Sequence, residues 1–378
     1  MDKSSTKPLS IYVHWPFCLS KCPYCDFNSH VSDAIDHDRW LTSFKAELSY
    51  FKCKVEGDRV VSIFFGGGTP SLMKPSVVEG ILNHIYDLWD VEANCEITFE
   101  ANPTSIEAHK FKAFREAGIN RVSIGIQALN DEDLKFLGRQ HSAKEALEAV
   151  DIADKIFERR SIDLIYARPN QSLKAWEGEL TRALSIINGH ASLYQLTIEQ
   201  GTPFYTSHKR GDFSIPSGDE GADLYDLTQD MMESAGMPAY EVSNHAIEGQ
   251  ESAHNLTYWR YGDYVGVGPG AHGRVTIDGH KHATRIHCAP DIWLERVAKD
   301  HNGLQACDVL SREDQNIEAL MMGIRLSEGV SIADMSLDQA RLNTLVQEGD
   351  IILDGDMLKA TRKGRLRLNS LLSYLLSS

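Results

Sequence analysis

Three cysteines near the start of the chain, Cys18, Cys22 and Cys25, lie in one short loop directly after an apolar segment. Thiols at this spacing can converge on a single iron–sulfur cluster. A cubane cluster takes four ligands, whereas this loop supplies three, because the position two residues beyond Cys25 holds Phe27. The spacing therefore predicts a 4Fe-4S cluster in which one iron is left open for a small molecule to chelate.

Two other kinds of site would use only part of this loop. Cys22 and Cys25 have the spacing of half a zinc site or of a thiol–disulfide redox pair, and a redox pair would leave Cys18 without a role. Zinc would need a second pair of cysteines. The remaining cysteines stand singly, at Cys53, Cys95, Cys288 and Cys307. A zinc-stabilised regulatory protein with a winged-helix tail therefore stays a further possible class, and it would require zinc in place of iron in the purified protein.

Short apolar segments alternate with amphipathic helical patterns from residue 9 to about residue 200. The predicted strands span residues 9–15, 60–65, 95–100, 121–127, 161–166 and 193–199, and the predicted helices lie near 37–53, 75–88, 105–117, 142–158 and 172–188. Such alternation predicts βαβ units and a parallel sheet. We expect an α/β fold, a partial, three-quarter (β/α)6 barrel in residues 1–204, with the functional residues at the carboxyl ends of its strands.

Polar or glycine-rich residues do follow the predicted strands. Glycines let the backbone approach a ligand closely, and a carboxylate inside an apolar strand must be paired or face a cavity. The candidates at strand ends are Gly67, Gly68, Thr69, Glu100, Gln127, Arg139 and Asp163. The glycine spacing differs from that of nucleotide-phosphate loops. These residues predict a binding site at one edge of the sheet, beside the cysteine loop.

The cysteine loop resembles the signature of the radical S-adenosylmethionine (SAM) superfamily. Residues 12–18, 66–70, 100–103, 123–127 and 161–166 are similar to the oxygen-independent coproporphyrinogen III oxidase family, over essentially the whole chain. The resemblance implies that SAM binds the open iron, with contacts from Tyr12, Tyr24, Gly67, Gly68, Thr69, Glu100, Gln127, Arg139 and Asp163. The chain departs from the family at residues 167–169, where Ala-Arg-Pro replaces the usual Gly-Leu-Pro.

Two features separate the oxidases of this family from their haem-binding relatives. The oxidases carry a fourth cysteine where this chain has Phe27, and the relatives carry a His-Asn-x-x-Tyr-Trp motif, present here at residues 254–259. The resemblance implies that haem is bound through His254, Asn255, Tyr258 and Trp259. From the residues alone, His254 could ligate haem iron beside two flat aromatic faces, or it could be a structural histidine with packing aromatics.

The resemblance then implies a haem chaperone that uses a 4Fe-4S cluster with exchangeable SAM. Such a protein would pass haem to an acceptor haemoprotein, for which a membrane respiratory enzyme is the expected class. The alternative is an enzyme that oxidatively decarboxylates coproporphyrinogen III. No residue is assigned a catalytic role, and the sequence leaves open whether the chain is an enzyme.

Composition and charge limit the other functions. The chain has 38 basic and 54 acidic residues, a net charge of −16, which disfavours non-specific nucleic-acid binding. No apolar run of about eighteen residues occurs, and the first ten residues lack the apolar segment of a signal peptide. An odd number of cysteines fits a reducing compartment. We therefore expect a cytoplasmic protein without a transmembrane segment, either a monomer or a homodimer.

Residues 205–378 predict a second, smaller α+β domain that ends in a winged-helix-like unit. Its predicted parts are a helix near 219–236, a helix near 311–326, a helix near 337–348, a hairpin at 354–356 and a helix near 363–376. Winged helices often bind DNA, but the acidic net charge disfavours that function. The basic stripe Arg362, Lys363, Arg365 and Arg367 is interpreted as a solvated helix face. The apolar residues 371–376 are expected to pack on the second domain.

Overall fold

The computed structural model describes residues 7–32 and 34–377. Residues 1–6, on which the expected location partly depends, lie outside these ranges. Within them, no helix combines the length and the apolar character needed to cross a membrane.

The described residues form sixteen strands and fifteen α-helices. The strands are β1 Pro8–Trp15, β2 Phe17–Cys18, β3 His30–Val31, β4 Arg59–Gly67, β5 Asp90–Ala101, β6 Arg121–Gln127, β7 Arg159–Tyr166, β8 His190–Gln195, β9 Asn244–Ala246, β10 Tyr264–Val267, β11 His272–Ile277, β12 His280–Ile286, β13 Leu304–Val309, β14 Val330–Ser331, β15 Ile351–Asp354 and β16 Met357–Ala360. The helices are α1 His37–Lys52, α2 Pro75–Leu88, α3 Ser105–Ala108, α4 Phe111–Glu116, α5 Asp131–Phe136, α6 Ala143–Asp154, α7 Leu173–Leu184, α8 Pro203–Arg210, α9 Gly218–Ser234, α10 Ala253–Trp259, α11 Pro290–Asp300, α12 Arg312–Gly323, α13 Gln339–Gln347, α14 Arg362–Leu366 and α15 Leu368–Leu376.

Six parallel strands form the centre of the molecule in the order β1-β4-β5-β6-β7-β8, each joined to the next by helices. The α/β fold and the partial (β/α)6 barrel expected from the sequence are therefore confirmed. Alternate side chains of β1, among them Ile11 and Val13, are fully buried, because helices cover the sheet. The sixth strand ends at Gln195, before its predicted end at residue 199, since the chain turns there towards α8, whose first turn is capped by Thr202.

The C-terminal half of the chain supplies both edges of this sheet. β10 pairs in parallel with β1 and is followed by the antiparallel strands β11, β12 and β13, while β9 pairs antiparallel with β8. The result is one sheet of eleven strands that crosses the predicted boundary at residue 204. The two-domain division stays a prediction, with the sheet as a structural link across it.

Residues 312–376, which we call the C-terminal module, have a hydrophobic core of their own. That core contains Leu320, Ile324, Leu342, Leu345, Ile351, Leu358, Leu368, Leu371, Leu372 and Leu375. The predicted helix, hairpin and final helix are present as α13, β15–β16 and α14–α15. Leucines near the end of the chain pack into this core, as expected.

The interpretation of the basic stripe as a solvated helix face is wrong for Arg362. Its guanidinium forms ion pairs with Asp226 at 2.7 Å and Asp230 at 2.6 Å, both on α9. Arg367 pairs with the buried Asp350 at 2.7 Å. Lys363 also pairs with Asp350, at 3.3 Å, so three members of the stripe bind neighbouring carboxylates. Arg362 attaches the C-terminal module to the rest of the molecule.

Candidate functional site

A cavity of about 790 Å³ opens at the carboxyl ends of the parallel strands. Its volume lies within the range typical of small-molecule sites. It brings together eleven of the residues predicted from the sequence, Cys18, Cys22, Tyr24, Cys25, Gly67, Gly68, Thr69, Glu100, Gln127, Arg139 and Asp163. The predicted residues absent from its lining are Tyr12, His254, Asn255, Tyr258 and Trp259.

The cysteine thiols lie in this cavity with hydrogen-bond donors beside them. The Thr69 hydroxyl donates to Cys18 Sγ at 3.4 Å, and Arg139 Nη1 donates to Cys22 Sγ at 3.5 Å. All three thiols are free, and burial raises the pKa of Cys18 and Cys25. Since iron deprotonates a coordinating thiol, donors aimed at sulfur would stabilise the thiolates that form on metal binding.

The arrangement of the thiols suits a cluster. Within the described ranges, no group of three or more His, Cys, Asp or Glu side chains is placed to hold a single metal ion. The three thiolates of a cubane cluster bind three different irons, so they need not meet at one point. Three soft sulfur ligands in the lining of one cavity fit a 4Fe-4S cluster, which Cys18, Cys22 and Cys25 would hold.

Arg139 is fixed in the cavity by a chain of hydrogen bonds that includes Asn102. Arg139 Nη2 donates to Asn102 Oδ1 at 2.6 Å and to the Gly125 carbonyl at 3.0 Å. Asn102 Nδ2 in turn donates to Thr69 Oγ1 at 3.1 Å. Arg139 Nε is buried and has no hydrogen-bond partner among the described residues. A guanidinium held in this way is preorganised to receive a carboxylate.

The glycines at the end of β4 lie so close to neighbouring residues that no side chain fits. Gly67 has φ +110°, and a Cβ there would lie 2.6 Å from His14 Cε1. A Cβ on Gly68 would lie 2.6 Å from the carbonyl oxygen of Phe17. Both positions therefore require glycine, and they form a wall of bare backbone that a ligand can approach.

Two carboxylates from neighbouring strands face the cavity. Glu100 accepts a hydrogen bond from the Gly67 N–H at 3.2 Å, and Asp163 accepts from the Ser123 hydroxyl at 3.1 Å. Burial, with a contribution from Asp163, raises the pKa of Glu100 to about 8. Burial also raises the pKa of Asp163. Both groups can accept hydrogen bonds from hydroxyl or ammonium donors, and a cationic ligand would favour their ionised forms.

Tyr12, predicted as a SAM contact, lies behind the glycine wall. Its hydroxyl bonds His14 Nδ1 at 2.9 Å, while His14 Nε2 bonds the Asn28 carbonyl at 2.9 Å. A carbonyl can only accept, so Nε2 donates and Nδ1 accepts from Tyr12. Burial lowers the pKa of His14 to about 4, which agrees with this neutral form. The His14 ring, whose role was not predicted from the sequence, therefore packs against Gly67.

The histidine of the 254–259 motif is buried in the core rather than in the cavity. Its Nδ1 bonds the Ser62 hydroxyl at 2.9 Å, and its Nε2 bonds the Tyr258 hydroxyl at 2.5 Å. Its ring stacks on Phe64 with centroids 5.0 Å apart, and on Tyr12 at 6.2 Å. Burial lowers its pKa to about 3. In this conformation, neither ring nitrogen of His254 is free to bind iron.

The rest of the motif connects the barrel to the C-terminal half. Asn255 Nδ2 donates to the Tyr240 hydroxyl at 3.4 Å. The Arg325 guanidinium lies over the Trp259 ring, 5.5 Å from its centroid. The adjacent Arg260 forms an ion pair with Glu328 at 2.7 Å. α10 therefore lies between the parallel strands and the C-terminal module and contacts both.

The departure from the family pattern at residues 167–169 is accommodated by a buried ion pair. Arg168 is almost fully buried and pairs with Glu179, and it also contacts Asp133 at 2.9 Å. Its Nη1 donates to the Ile165 carbonyl at 2.9 Å. Ala167 takes the left-handed conformation, with φ 57°. The loop thus keeps a turn that suits glycine, with Arg168 closing it against α7.

Sequence reasoning also missed the wall of the cavity that the C-terminal module contributes. This wall contains Arg325, Arg365, Leu366, Arg367, Leu368, Asn369 and Ser370. Its signal in the sequence was the basic stripe, which includes Arg365 and Arg367. The stripe alone does not indicate which of its members turns towards a cavity and which towards a carboxylate.

Comparisons with known proteins found relatives that match almost the whole chain. Residues 12–182 match the family model "Radical SAM superfamily", and residues 310–367 match "HemN C-terminal domain". A protein of Danio rerio, "Radical S-adenosyl methionine domain-containing protein 1, mitochondrial", is 36% identical over 97% of this chain and 86% of its own length. "Heme chaperone HemW" of Escherichia coli (strain K12) is 35% identical over 98% of both chains.

Among solved structures, the fold is similar to that described by "Coproporphyrinogen III oxidase (HemN) from Escherichia coli is a Radical SAM enzyme.". The TM-score is 0.82 at 22% sequence identity, over 98% of this chain and 90% of that one. The barrel and the C-terminal module are thus both shared with that structure.

Proposed function

The chain belongs to the HemW family within the radical SAM superfamily, and we propose that it is a haem chaperone, which binds haem and passes it to an acceptor haemoprotein. The observation that carries this proposal is the sequence identity of 35% and 37% with two proteins named "Heme chaperone HemW", each over 98% of this chain. These matches cover the barrel and the C-terminal module together. Phe27, at the position of the oxidases' fourth cysteine, supports it from this chain's own sequence.

Membership of the radical SAM superfamily implies a 4Fe-4S cluster and SAM. We place the cluster on Cys18, Cys22 and Cys25, and SAM at the open iron in exchangeable form. Arg139 would receive the SAM carboxylate, Glu100 and Asp163 would accept from its donor groups, and the Gly67–Gly68 backbone would allow its close approach. When bound, the cluster would supply single electrons. Tyr24, Thr69 and Gln127 would complete the SAM site from the cavity lining, and Tyr12 would act from behind it.

Haem ligation by His254 stays part of the proposal, with one structural condition. Both of its nitrogens are bonded in the described conformation, so ligation requires Ser62 to release Nδ1 or Tyr258 to release Nε2. Ser62 lies on β4, whereas Tyr258 lies on α10 with His254, so a movement of α10 away from β4 would free Nδ1. The same movement would expose Tyr258 and Trp259 to the porphyrin plane. Haem binding and a rearrangement of α10 are therefore coupled in this proposal.

The acceptor is proposed to be a membrane respiratory enzyme. A cytoplasmic location stays the sequence-based prediction, and several relatives are named as mitochondrial proteins. The absence of nucleic-acid binding likewise stays a prediction that rests on the acidic net charge of −16.

The alternative function is oxidative decarboxylation of coproporphyrinogen III. The solved oxidase shares the fold at 22% identity, a level that establishes the fold alone. Phe27 opposes this alternative. It would be favoured by conversion of coproporphyrinogen III to protoporphyrinogen by the anaerobically reconstituted protein.

A haem titration followed in the Soret band tests the proposal. The protein should be reconstituted anaerobically, and His254→Ala should be compared with His280→Ala, a control at an exposed histidine of β12. We expect saturable binding by the wild type and by the control, and weaker binding or an altered Soret band for His254→Ala. Unchanged binding by His254→Ala would remove His254 as a ligand. No specific binding by the wild type, together with conversion of coproporphyrinogen III, would replace the chaperone by the oxidase.

A further inference from the structure

We propose that Arg325 and Arg365 of the C-terminal module form an anion-binding wall in the cavity, and that this wall takes the propionate carboxylates of the bound porphyrin. The inference rests on the proposed function, since it specifies how the haem would be held. It assigns the porphyrin's acidic edge to the module and leaves the opposite end of the cavity to the cluster and SAM.

The two arginines share one cavity with the cysteine loop. Arg365 lies on α14, and Arg325 follows directly after the end of α12. Both line the cavity that also contains Cys18 and Arg139. The module and the cysteine loop therefore line the same cavity.

The charges of these two arginines are not neutralised by the protein. Among residues 7–32 and 34–377, no carboxylate lies within ion-pair distance of Arg325 or Arg365, although Arg362 and Arg367 beside them are paired. A chain with a net charge of −16 has many carboxylates available for pairing. Two arginines that line one cavity without an ion-pair partner therefore indicate an anionic ligand.

A buried donor in the same wall supports this reading. Arg365 Nε is buried and has no hydrogen-bond partner in the described structure. The buried hydroxyl of Tyr225, which also lines the cavity, interacts with the Arg365 guanidinium and helps to hold it in the wall. Because a buried donor without an acceptor is costly, a ligand with oxygen acceptors would lower the free energy of this wall.

The chemistry of the wall fits the edge of a porphyrin. A guanidinium offers a planar fork of N–H donors that matches a carboxylate, so two of them match two propionates. Leu366, Leu368 and Val242 line the same region and provide apolar contacts for the macrocycle. The carboxylate of SAM has its own partner in Arg139.

The test compares haemin with haemin dimethyl ester, in which both propionate charges are removed. Both are titrated into the full-length, anaerobically reconstituted protein, and binding is followed in the Soret band. The variants are wild type, Arg325→Gln/Arg365→Gln, and Arg312→Gln. Arg312→Gln is the control, because it removes an arginine of the same module whose exposed ion pair with Asp334 lies outside the cavity lining.

We expect the wild type and Arg312→Gln to bind haemin at least about ten-fold more tightly than the ester, since charge-assisted hydrogen bonds are lost with the ester. The double variant should bind haemin and the ester with equal affinity. Equal affinity of the wild type for haemin and for the ester would by itself contradict the proposal that the wall binds propionates. It would leave haem binding and the proposed function intact. A double variant that keeps the wild-type preference would also contradict propionate binding by the wall. Failure of the wild type to bind either compound would overturn the proposed function and this inference together.

Discussion

Ala167 is one of six described non-glycine residues with a positive φ. Its φ of 57° brings Cβ close to the following carbonyl, which costs roughly 1–2 kcal/mol. The related family has glycine at this position, so the chain keeps the turn at an energetic cost. That cost lies next to Arg168, whose buried ion pair with Glu179 closes the same loop.

Replacing Ala167 by glycine should therefore stabilise the protein. We expect Ala167→Gly to raise the free energy of unfolding by about 0.5–1 kcal/mol, after the entropy that glycine loses on folding is subtracted. Urea denaturation is the measurement. Ala175→Gly, at an exposed position of α7, is the control and should lower stability by about 1 kcal/mol. A less stable Ala167→Gly variant would contradict the strain at this position.

His254 has a structural role that can be measured without haem. His254→Ala would remove the partner of Ser62 and Tyr258 and leave a cavity against Phe64, which should cost about 2–4 kcal/mol of unfolding free energy. Denaturation of the haem-free protein tests this, and His280→Ala should change stability by less than about 0.5 kcal/mol. Equal stability of His254→Ala and wild type would contradict the packing described here.

How far the site follows from the sequence depends on the kind of residue. The cysteines and glycines are predictable because their chemistry or conformation has no substitute, and the cavity collects them as expected. His14 and Asn102 are not predictable, since they act on Gly67 and Arg139 only through contacts formed by the fold. Arg365 is not predictable for the same reason, since its place in the cavity lining depends on how α14 packs against α9.

At the scale of elements, the parallel strands and their helices follow from local periodicity, whereas the added edge strands do not. β10 pairs with β1, which is far away in sequence, and its own short, glycine-containing segment has no strand periodicity. Such long-range pairing is decided by the assembled sheet. The winged-helix-like elements are predictable because each has its own helix or turn signal, such as Gly355 between β15 and β16.

The attachment of the C-terminal module through Arg362 gives a prediction at this scale. Arg362→Gln removes the ion pairs with Asp226 and Asp230, which are half exposed and together contribute about 1 kcal/mol. We expect amide hydrogen exchange in residues 312–376 to become roughly five-fold faster, while exchange in β4 to β7 is unchanged. Arg312→Gln, whose ion pair lies within the module, is the control. Equal acceleration in the barrel and the module would contradict a local anchor.

At the scale of the whole molecule, buried ionisable groups of opposite kinds give opposite pH dependences. Burial lowers the pKa of His245 from 6.5 to about 4, so its contribution to stability is present above about pH 6.5 and is lost as the pH falls towards 4. Burial raises the pKa of Glu100 from 4.5 to about 8, so its contribution is present below about pH 4.5 and is lost as the pH rises through 8. The dependence of the wild-type unfolding free energy on pH therefore contains both contributions and does not separate them.

A substitution at His245 separates the histidine contribution. When the pH falls from 7.5 to 5, the wild type should lose about 2 kcal/mol of unfolding free energy through His245, because its unfolded state takes up a proton there. His245→Phe has no such proton to take up and should not show this loss. Urea denaturation at both pH values measures the difference. A stability difference between variant and wild type that is the same at both pH values would contradict a buried neutral His245.

In the whole molecule, the cysteine loop, the glycine wall and the C-terminal module line one cavity. The eleven-stranded sheet and α10 connect the parts of the chain that carry them. We propose that this assembly delivers haem to a partner. The most direct measurement mixes the haem-loaded, anaerobically reconstituted protein with membranes that carry the haem-free form of a respiratory cytochrome, and follows appearance of the cytochrome spectrum. We predict transfer whose rate rises and saturates with acceptor concentration, because a complex forms before haem moves. A rate that equals spontaneous haem loss to an inert scavenger, whatever the acceptor concentration, would contradict it.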